Sequence, residues 1–210
     1  MRLGYLLDSL VRRTPLLRLP KTQRWVDRLT GADGRRWSRV VMRADCERLL
    51  KELGPKELNV LEISGRHYGS MGFARYRVVR YPEFDICATT LDESFDLIIA
   101  EQVFEHLLWP YRAGRNVYRM LAPGGHFLIS TPFLVRRHEE PTDCTRWTET
   151  GLQYFLAECG FGLEMIRVRS WGNRDCVNAN FRGWTDYRPR LHSLANEPEF
   201  PYHVWALARK

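Results

Sequence analysis

Side chains able to exchange a proton follow two apolar runs near the middle of the chain. After the run Asp96–Ala100 come polar or loop residues, in the order Glu101, Gln102, Val103, Glu105 and His106. After the run Phe127–Ser130, a polar loop carries His138 and Asp143. Histidine titrates near neutral pH, so either imidazole is a candidate general base. His138 is the first candidate and His106 the second, while Asp143 shares the loop of His138.

The two apolar runs predict a βαβ unit over Phe95–Pro132. Each run has the length of a buried strand, and Pro110 suits the first turn of a helix between them. The turn sequence Ala122–Gly125 should end that helix before the second strand begins. The two strands should then be parallel neighbours with their carboxyl ends at one edge of a sheet, where ligands of such sheets bind.

The motifs FDLIIAEQVFEHL and LAPGGHFLISTPF together resemble class I S-adenosylmethionine-dependent methyltransferases, closest to the small type 11/23-like group. The resemblance covers residues 59–161. It implies an α/β fold with one doubly wound, mostly parallel sheet and an antiparallel C-terminal strand. It also implies S-adenosylmethionine as cofactor and methyl transfer to a small polar acceptor. We expect O-methylation of a sugar, glycan or natural product.

The same resemblance assigns a cofactor loop to VLEISGRHYG, after the predicted strand 59–63. It implies cofactor contacts from Glu62, Ser64 and Gly65, and from Glu101, Gln102 and Val103 after the next parallel strand. Glycine lets the backbone approach a ligand closely. Ser64 and Arg66 occupy positions where the family commonly has glycine. This departure favours, as one alternative, a non-catalytic protein that uses the fold for binding.

Two further cofactor contacts follow the predicted strand 76–81. The family usually has a ribose-binding carboxylate at its end, where this chain has Arg80, so Glu83 is the nearest substitute. Asp85 and Ile86 match the residues that contact the adenine ring. Asp85 could instead cap its own turn.

The acceptor site is expected around the loop 136–147. His138, Asp143, Arg146 and Trp147 match a similar stretch in the resembled proteins. Arg146 would orient an anionic acceptor through its planar donors, and Trp147 would cover an apolar ring face. Alternatively, Arg146 pairs with a neighbouring carboxylate.

The segments on either side of the resemblance have different predicted roles. Residues 1–43 are predicted to form a helical lid or interface, and 44–210 a single methyltransferase domain with an irregular insertion at 171–200. In the insertion, Trp171 and Asn173 either form a second substrate wall or anchor the insertion. Residues 1–20 are amphipathic and basic, which fits packing on the domain, contact with an anionic membrane, or a transit peptide. Packing is favoured because an apolar stripe usually faces a core.

The composition limits the remaining choices. The chain has 210 residues, a net charge of +7 and five cysteines. The cysteines lack C-x-x-C spacing, which predicts reduced thiols in a cytoplasmic protein, with peripheral contact at the inner membrane surface as a variant. No metal cluster is visible in the sequence. The charge favours an anionic partner and leaves a nucleic-acid methyltransferase as an alternative, although no nucleic-acid-binding motif is present.

Overall fold

The structure is a computed structural model and describes residues 27–210. The amphipathic segment 1–20 and the start of the basic segment lie outside these residues. The main elements follow in the order α1 (Val40–Glu52), β1 (Asn59–Ile63), β2 (Arg75–Val79), β3 (Phe95–Glu101), α2 (Pro110–Met120), β4 (Leu121–Pro132), α3 (Glu149–Glu158), β5 (Ile166–Trp171), α4 (Arg174–Arg182) and β6 (His203–Arg209).

The strands form one six-stranded sheet in the order β2-β1-β3-β4-β6-β5. β1 pairs in parallel with β2 and β3, and β3 pairs in parallel with β4. The C-terminal strands are antiparallel, so the predicted fold class is confirmed. Glu62 lies opposite Ile99, and Glu101 lies opposite Ser130. The carboxyl ends of β1, β3 and β4 therefore meet at one edge.

The βαβ unit forms because its apolar residues fit the periods of the two structures. Strand β3 is buried along nearly its whole length. Helix α2 begins at Pro110 and buries Ala113, Val117 and Met120, which recur at helical spacing. Its apolar face joins the core formed by the sheet. These elements hold the carboxyl edge of β3 and β4 in a fixed position.

The predicted turn at Ala122–Gly125 was wrong, because these residues lie within β4. The strand begins at Leu121, directly after α2. Its pairing with β3 jumps from Phe95–Leu121 to Leu97–His126. The intervening residues form a bulge, in which Gly124 has a φ of 78°. The turn-forming residue types are visible in the sequence, but their place in a bulge of strand β4 is not.

The C-terminal part also differs from the sequence prediction. The predicted strand 161–170 begins only at Ile166, because Leu163–Met165 form a 3₁₀ turn. The segment 171–200, expected to be irregular, contains α4. Asn173 caps that helix, since its Oδ1 accepts a hydrogen bond from the N–H of Cys176 at 2.8 Å.

The chain divides into two compact units. One comprises residues 44–133, 137–170 and 204–210 and contains most of the sheet. Among the described residues, the other comprises 27–43, 134–136 and 171–203. In this second unit the Trp37 ring stacks on His192 at 3.9 Å. Within residues 27–210, no helix combines the length and apolar character needed to cross a membrane.

Candidate active site

The loop after β1 is wrapped around the side chain of Glu62. This carboxylate is fully buried and accepts hydrogen bonds from the backbone N–H groups of His67, at 3.0 Å, and Tyr68, at 3.3 Å. It also accepts one from the Tyr76 hydroxyl at 2.5 Å. Burial and the hydrogen bond to Glu62 raise the pKa of Tyr76, so its hydroxyl stays a donor. Glu62 therefore fixes the shape of the loop.

Gly65 is required by this arrangement. A Cβ atom at position 65 would lie 2.1 Å from Oε1 of Glu62, a distance that no side chain tolerates. The neighbouring Ser64 has a φ of 69°, the left-handed conformation that glycine adopts without strain. The backbone at position 64 thus keeps a glycine-like conformation, although the residue is serine.

The loop is also tied to the end of β3. The Tyr68 hydroxyl donates to Oε2 of Glu101 at 2.9 Å. Gln102 follows with a φ of 56°, and its backbone N–H donates to the Ser130 carbonyl at 2.9 Å. Ser64 and Gln102 thus have left-handed backbones directly after two adjacent strands. Strained backbone of this kind clusters at functional sites.

A cavity of about 360 Å³ lies beside the carboxyl end of β2. Arg66, Arg77, Arg80 and Glu83 are among the residues that line it. Glu83, expected as the substitute ribose ligand, therefore shares a cavity with Arg80, the residue that departs from the family pattern. The cavity is strongly basic.

Asp85 stabilises a local turn. Its Oδ1 accepts a hydrogen bond from the N–H of Cys87 at 2.8 Å, the capping arrangement that the sequence left open. Ile86 is buried, and its carbonyl accepts a hydrogen bond from Asn116 at 2.8 Å. The backbone of this segment is thereby held against α2. An adenine contact from Asp85 stays a prediction.

We expect Asp85→Ala to weaken S-adenosylhomocysteine binding by about 1–3 kcal/mol if the carboxylate also pairs with the adenine amino group. Calorimetric titration measures this loss, and circular dichroism checks that the fold is retained. The exposed Asp92 provides a control, Asp92→Ala, for the general effect of removing a carboxylate. Unchanged affinity in Asp85→Ala would contradict the adenine contact and leave stabilisation of the turn as the role of Asp85.

His106 lies beside a buried carboxylate at the end of β3. Its Nδ1 makes a hydrogen bond with the Thr142 carbonyl at 2.5 Å. A carbonyl only accepts, so Nδ1 carries the proton and Nε2 is the basic nitrogen. Nε2 lies 3.6 Å from Oε1 of Glu105, which has no exposed surface. The His138 ring lies 5.1 Å from the His106 ring, so both predicted bases are together.

Asp143 organises the loop that carries His138. Its Oδ2 accepts a hydrogen bond from the backbone N–H of His138 at 2.9 Å. Both of its oxygens accept from the Arg146 guanidinium, at 2.5 and 2.8 Å. Burial alone would raise the pKa of Asp143, but these hydrogen bonds outweigh it and lower that pKa. Arg146 is thus engaged with Asp143, as the alternative reading of the sequence expects.

The other predicted acceptor-site residues pack within their own units. Trp147 is buried against Phe155, with their ring centroids 5.1 Å apart. The Trp171 indole N–H donates to the Leu194 carbonyl at 3.0 Å. The side-chain amide of Asn173 donates to two carbonyls of residues 193 and 195. Trp171 and Asn173 therefore anchor the insertion, while a role in substrate binding stays a prediction.

Sequence reasoning assigned no role to several residues that shape the site. In the sequence, only the position of Glu105 after β3 drew attention to it, and Thr142 belonged to no predicted site. Tyr68 and Tyr76 hold the cofactor loop without matching any motif. Their roles depend on contacts between segments distant in sequence. One signal was available, because an acidic residue next to a histidine after a buried strand is a recognisable pair.

Residues 44–129 match the family described as "Methyltransferase domain". A methyltransferase structure from Mesorhizobium loti described as S-adenosylmethionine dependent has a TM-score of 0.52 and 18% identity, covering 78% of this chain and 96% of that one. A structure described as a SAM-dependent methyltransferase from Archaeoglobus fulgidus has a TM-score of 0.51 and 14% identity, covering 80% of this chain and 94% of that one. Phosphoethanolamine N-methyltransferase 2 of Haemonchus contortus, in complex with S-adenosyl-L-methionine, has a TM-score of 0.52 and 15% identity, covering 78% of this chain and 51% of that one. None of the curated proteins matches the sequence.

At these identities the structural similarities concern the fold alone. The match of residues 44–129 to a methyltransferase domain and the fold shared with S-adenosylmethionine-dependent methyltransferases are consistent with the class I resemblance seen in the sequence. S-adenosylmethionine is the cofactor that this class indicates. The residues beyond β1 and β3 fit such a group, since a shaped loop and polar atoms meet at the edge where ligands of these sheets bind.

Proposed function

We propose that the protein transfers the methyl group of S-adenosylmethionine to an oxygen atom of a small polar acceptor, such as a hydroxyl of a sugar, a glycan or a natural product. The observation that supports an oxygen acceptor is the group formed by Glu105, His106 and His138 at the end of β3. A hydroxyl must lose its proton during the reaction, and this group offers basic atoms for it.

The reaction needs little from the protein besides alignment and a proton acceptor. The acceptor oxygen attacks the methyl carbon, an O–C bond forms, and the C–S bond of the sulfonium breaks. S-adenosylhomocysteine leaves as a neutral thioether, and the hydroxyl proton passes to the protein or to water. Holding oxygen, carbon and sulfur in line supplies much of the acceleration. In this proposal the β1 loop and the end of β3 hold the cofactor, and the His106–His138 pair faces the acceptor.

The test is methyl transfer from radiolabelled S-adenosylmethionine to matched acceptors. The panel pairs each hydroxyl compound with its amino analogue and includes neutral and phosphorylated sugars and total RNA. We expect label in the hydroxyl compounds, in a form that survives alkali as an ether does and an ester does not. Label confined to amines would overturn the oxygen assignment, and label confined to RNA would overturn the assignment of a small acceptor.

A non-catalytic binding role is the second candidate, supported by the serine and the arginine at positions 64 and 66. Such a protein would bind S-adenosylhomocysteine or nothing, and would transfer no label to any acceptor. The left-handed backbone at Ser64 favours cofactor binding, because the serine adopts the conformation that a glycine at this position would adopt. The labelling panel and a binding titration together separate the two candidates.

A further inference from the structure

Glu105 carries a carboxylate in a place where a charge is costly. The side chain has no exposed surface, and its Oε1 lies 3.6 Å from Nε2 of His106. Buried carboxylates occur where they are paired, strongly hydrogen-bonded or bound to a metal ion. The nearby Nε2 of His106 makes the last of these possible.

The orientation of His106 is that of a metal-ligating histidine. Such residues typically donate one ring N–H to a backbone carbonyl or carboxylate, which leaves the other nitrogen for the metal. In His106 the Thr142 carbonyl accepts from Nδ1. Nε2 is therefore the nitrogen that faces Glu105 and that is left for a metal ion.

His138 completes a set of three ligands. Glu105, His106 and His138 each offer one ligand atom, and these atoms all lie within 4.8 Å of one another. Ligands of a tetrahedral zinc ion lie about 3.3 Å apart, given metal–ligand bonds near 2 Å. Oε1 of Glu105 and Nε2 of His106 are already close to that spacing. The ligand atom of His138 lies within 4.8 Å of both of these atoms.

The backbone on which the three ligands stand is held by several hydrogen bonds. The Cys144 N–H donates to the Glu105 carbonyl at 2.8 Å, and the Thr142 hydroxyl donates to the His106 carbonyl at 2.5 Å. Asp143 holds the backbone of His138. The turn after β3 and the loop after β4 are therefore joined at the point where the ligands converge, which pre-organises the set.

We propose that Glu105, His106 and His138 bind a divalent transition-metal cation, with Zn²⁺ or Co²⁺ suited to two imidazoles and one carboxylate. Metal binding itself goes beyond the proposed function and does not depend on it. If the proposed function also holds, the open position of the cation would take the acceptor hydroxyl. A bound cation lowers the pKa of such a hydroxyl, which eases its deprotonation.

The test uses the full chain after treatment with a chelator, titrated with Zn²⁺ by calorimetry and with Co²⁺ by visible absorption. We expect one cation per chain. Glu105→Gln, His106→Ala and His138→Ala should each weaken binding by about 100-fold or more, and Asp143→Asn by about 10-fold, since outer-shell partners matter nearly as much as ligands.

The matched control is the surface pair of His67 and Glu47, in which Nε2 and Oε1 lie 3.4 Å apart. The variant Glu47→Gln should bind the cation as the parent does. X-ray absorption of the zinc-loaded parent should show nitrogen and oxygen neighbours only, a result that does not depend on any variant folding. Sulfur from a cysteine, binding unaffected by all three ligand variants, or no binding at all would overturn the proposal.

Discussion

Replacing His138 or His106 by alanine is expected to lower the turnover of methyl transfer by about 10²–10⁴-fold at saturating S-adenosylmethionine. The two rings lie 5.1 Å apart beside the buried Glu105, on the side of the sheet where the acceptor is expected. The loss should follow whether the imidazoles take the proton themselves or hold a cation that lowers the pKa of the acceptor hydroxyl, whose proton then passes to water. Cofactor affinity should persist, because neither residue belongs to the β1 loop.

The control for this experiment is His126→Ala. His126 lies on β4 and is half-buried, and burial lowers the pKa of its imidazole. It lies in the middle of β4, about 17 Å along the strand from Thr131 at the usual rise per residue, so its loss should leave turnover unchanged. Initial rates at several acceptor concentrations separate turnover from acceptor binding. Normal turnover in both His138→Ala and His106→Ala would mean that alignment alone carries the reaction.

Glu62→Ala is expected to lower the free energy of unfolding by about 3 kcal/mol or more, because three donors lose a buried, charged acceptor. Glu62→Gln keeps the shape but replaces one oxygen by an amide nitrogen that cannot accept. In that variant we expect S-adenosylhomocysteine affinity to fall by about 10–100-fold while the sheet stays folded. Denaturant titration and calorimetry measure the two effects separately.

Tyr76→Phe is the matched variant for Glu62. It removes the hydrogen bond from the Tyr76 hydroxyl to Glu62 and leaves in place the two hydrogen bonds from backbone N–H groups. Its cost should be about 1 kcal/mol. If Glu62→Gln bound the cofactor product as tightly as Tyr76→Phe does, Glu62 would not be the residue that positions the loop.

The βαβ unit could be predicted from sequence because its signals are local. The apolar runs, the proline at position 110 and the helical spacing of Ala113, Val117 and Met120 lie within one stretch of chain. The register jump in β4 could not be predicted, since it depends on how that strand meets β3. The helix α4 was missed for a different reason, because the segment 171–200 shows little regular pattern in the sequence.

The candidate site was predictable to the level of which segments meet, and less so for individual roles. Parallel strands bring Glu101, His106 and the loop after β4 to one edge, and topology alone predicts that. The pairing of Arg146 with Asp143 was only one of several alternatives in the sequence. The enclosure of Glu62 by Tyr68 and Tyr76 depends on how the loop after β1 meets strand β2, which no local sequence pattern predicts.

The most direct test of the account is calorimetric titration of the full chain with S-adenosylhomocysteine. We expect saturable binding of one molecule per chain, displaced by S-adenosylmethionine and weakened in Glu62→Gln. Chelator treatment should leave this binding intact, because the ligands proposed for a cation lie outside the cofactor loop. Absence of binding heat, together with no change in thermal unfolding on adding either compound, would contradict a cofactor site at this edge of the sheet.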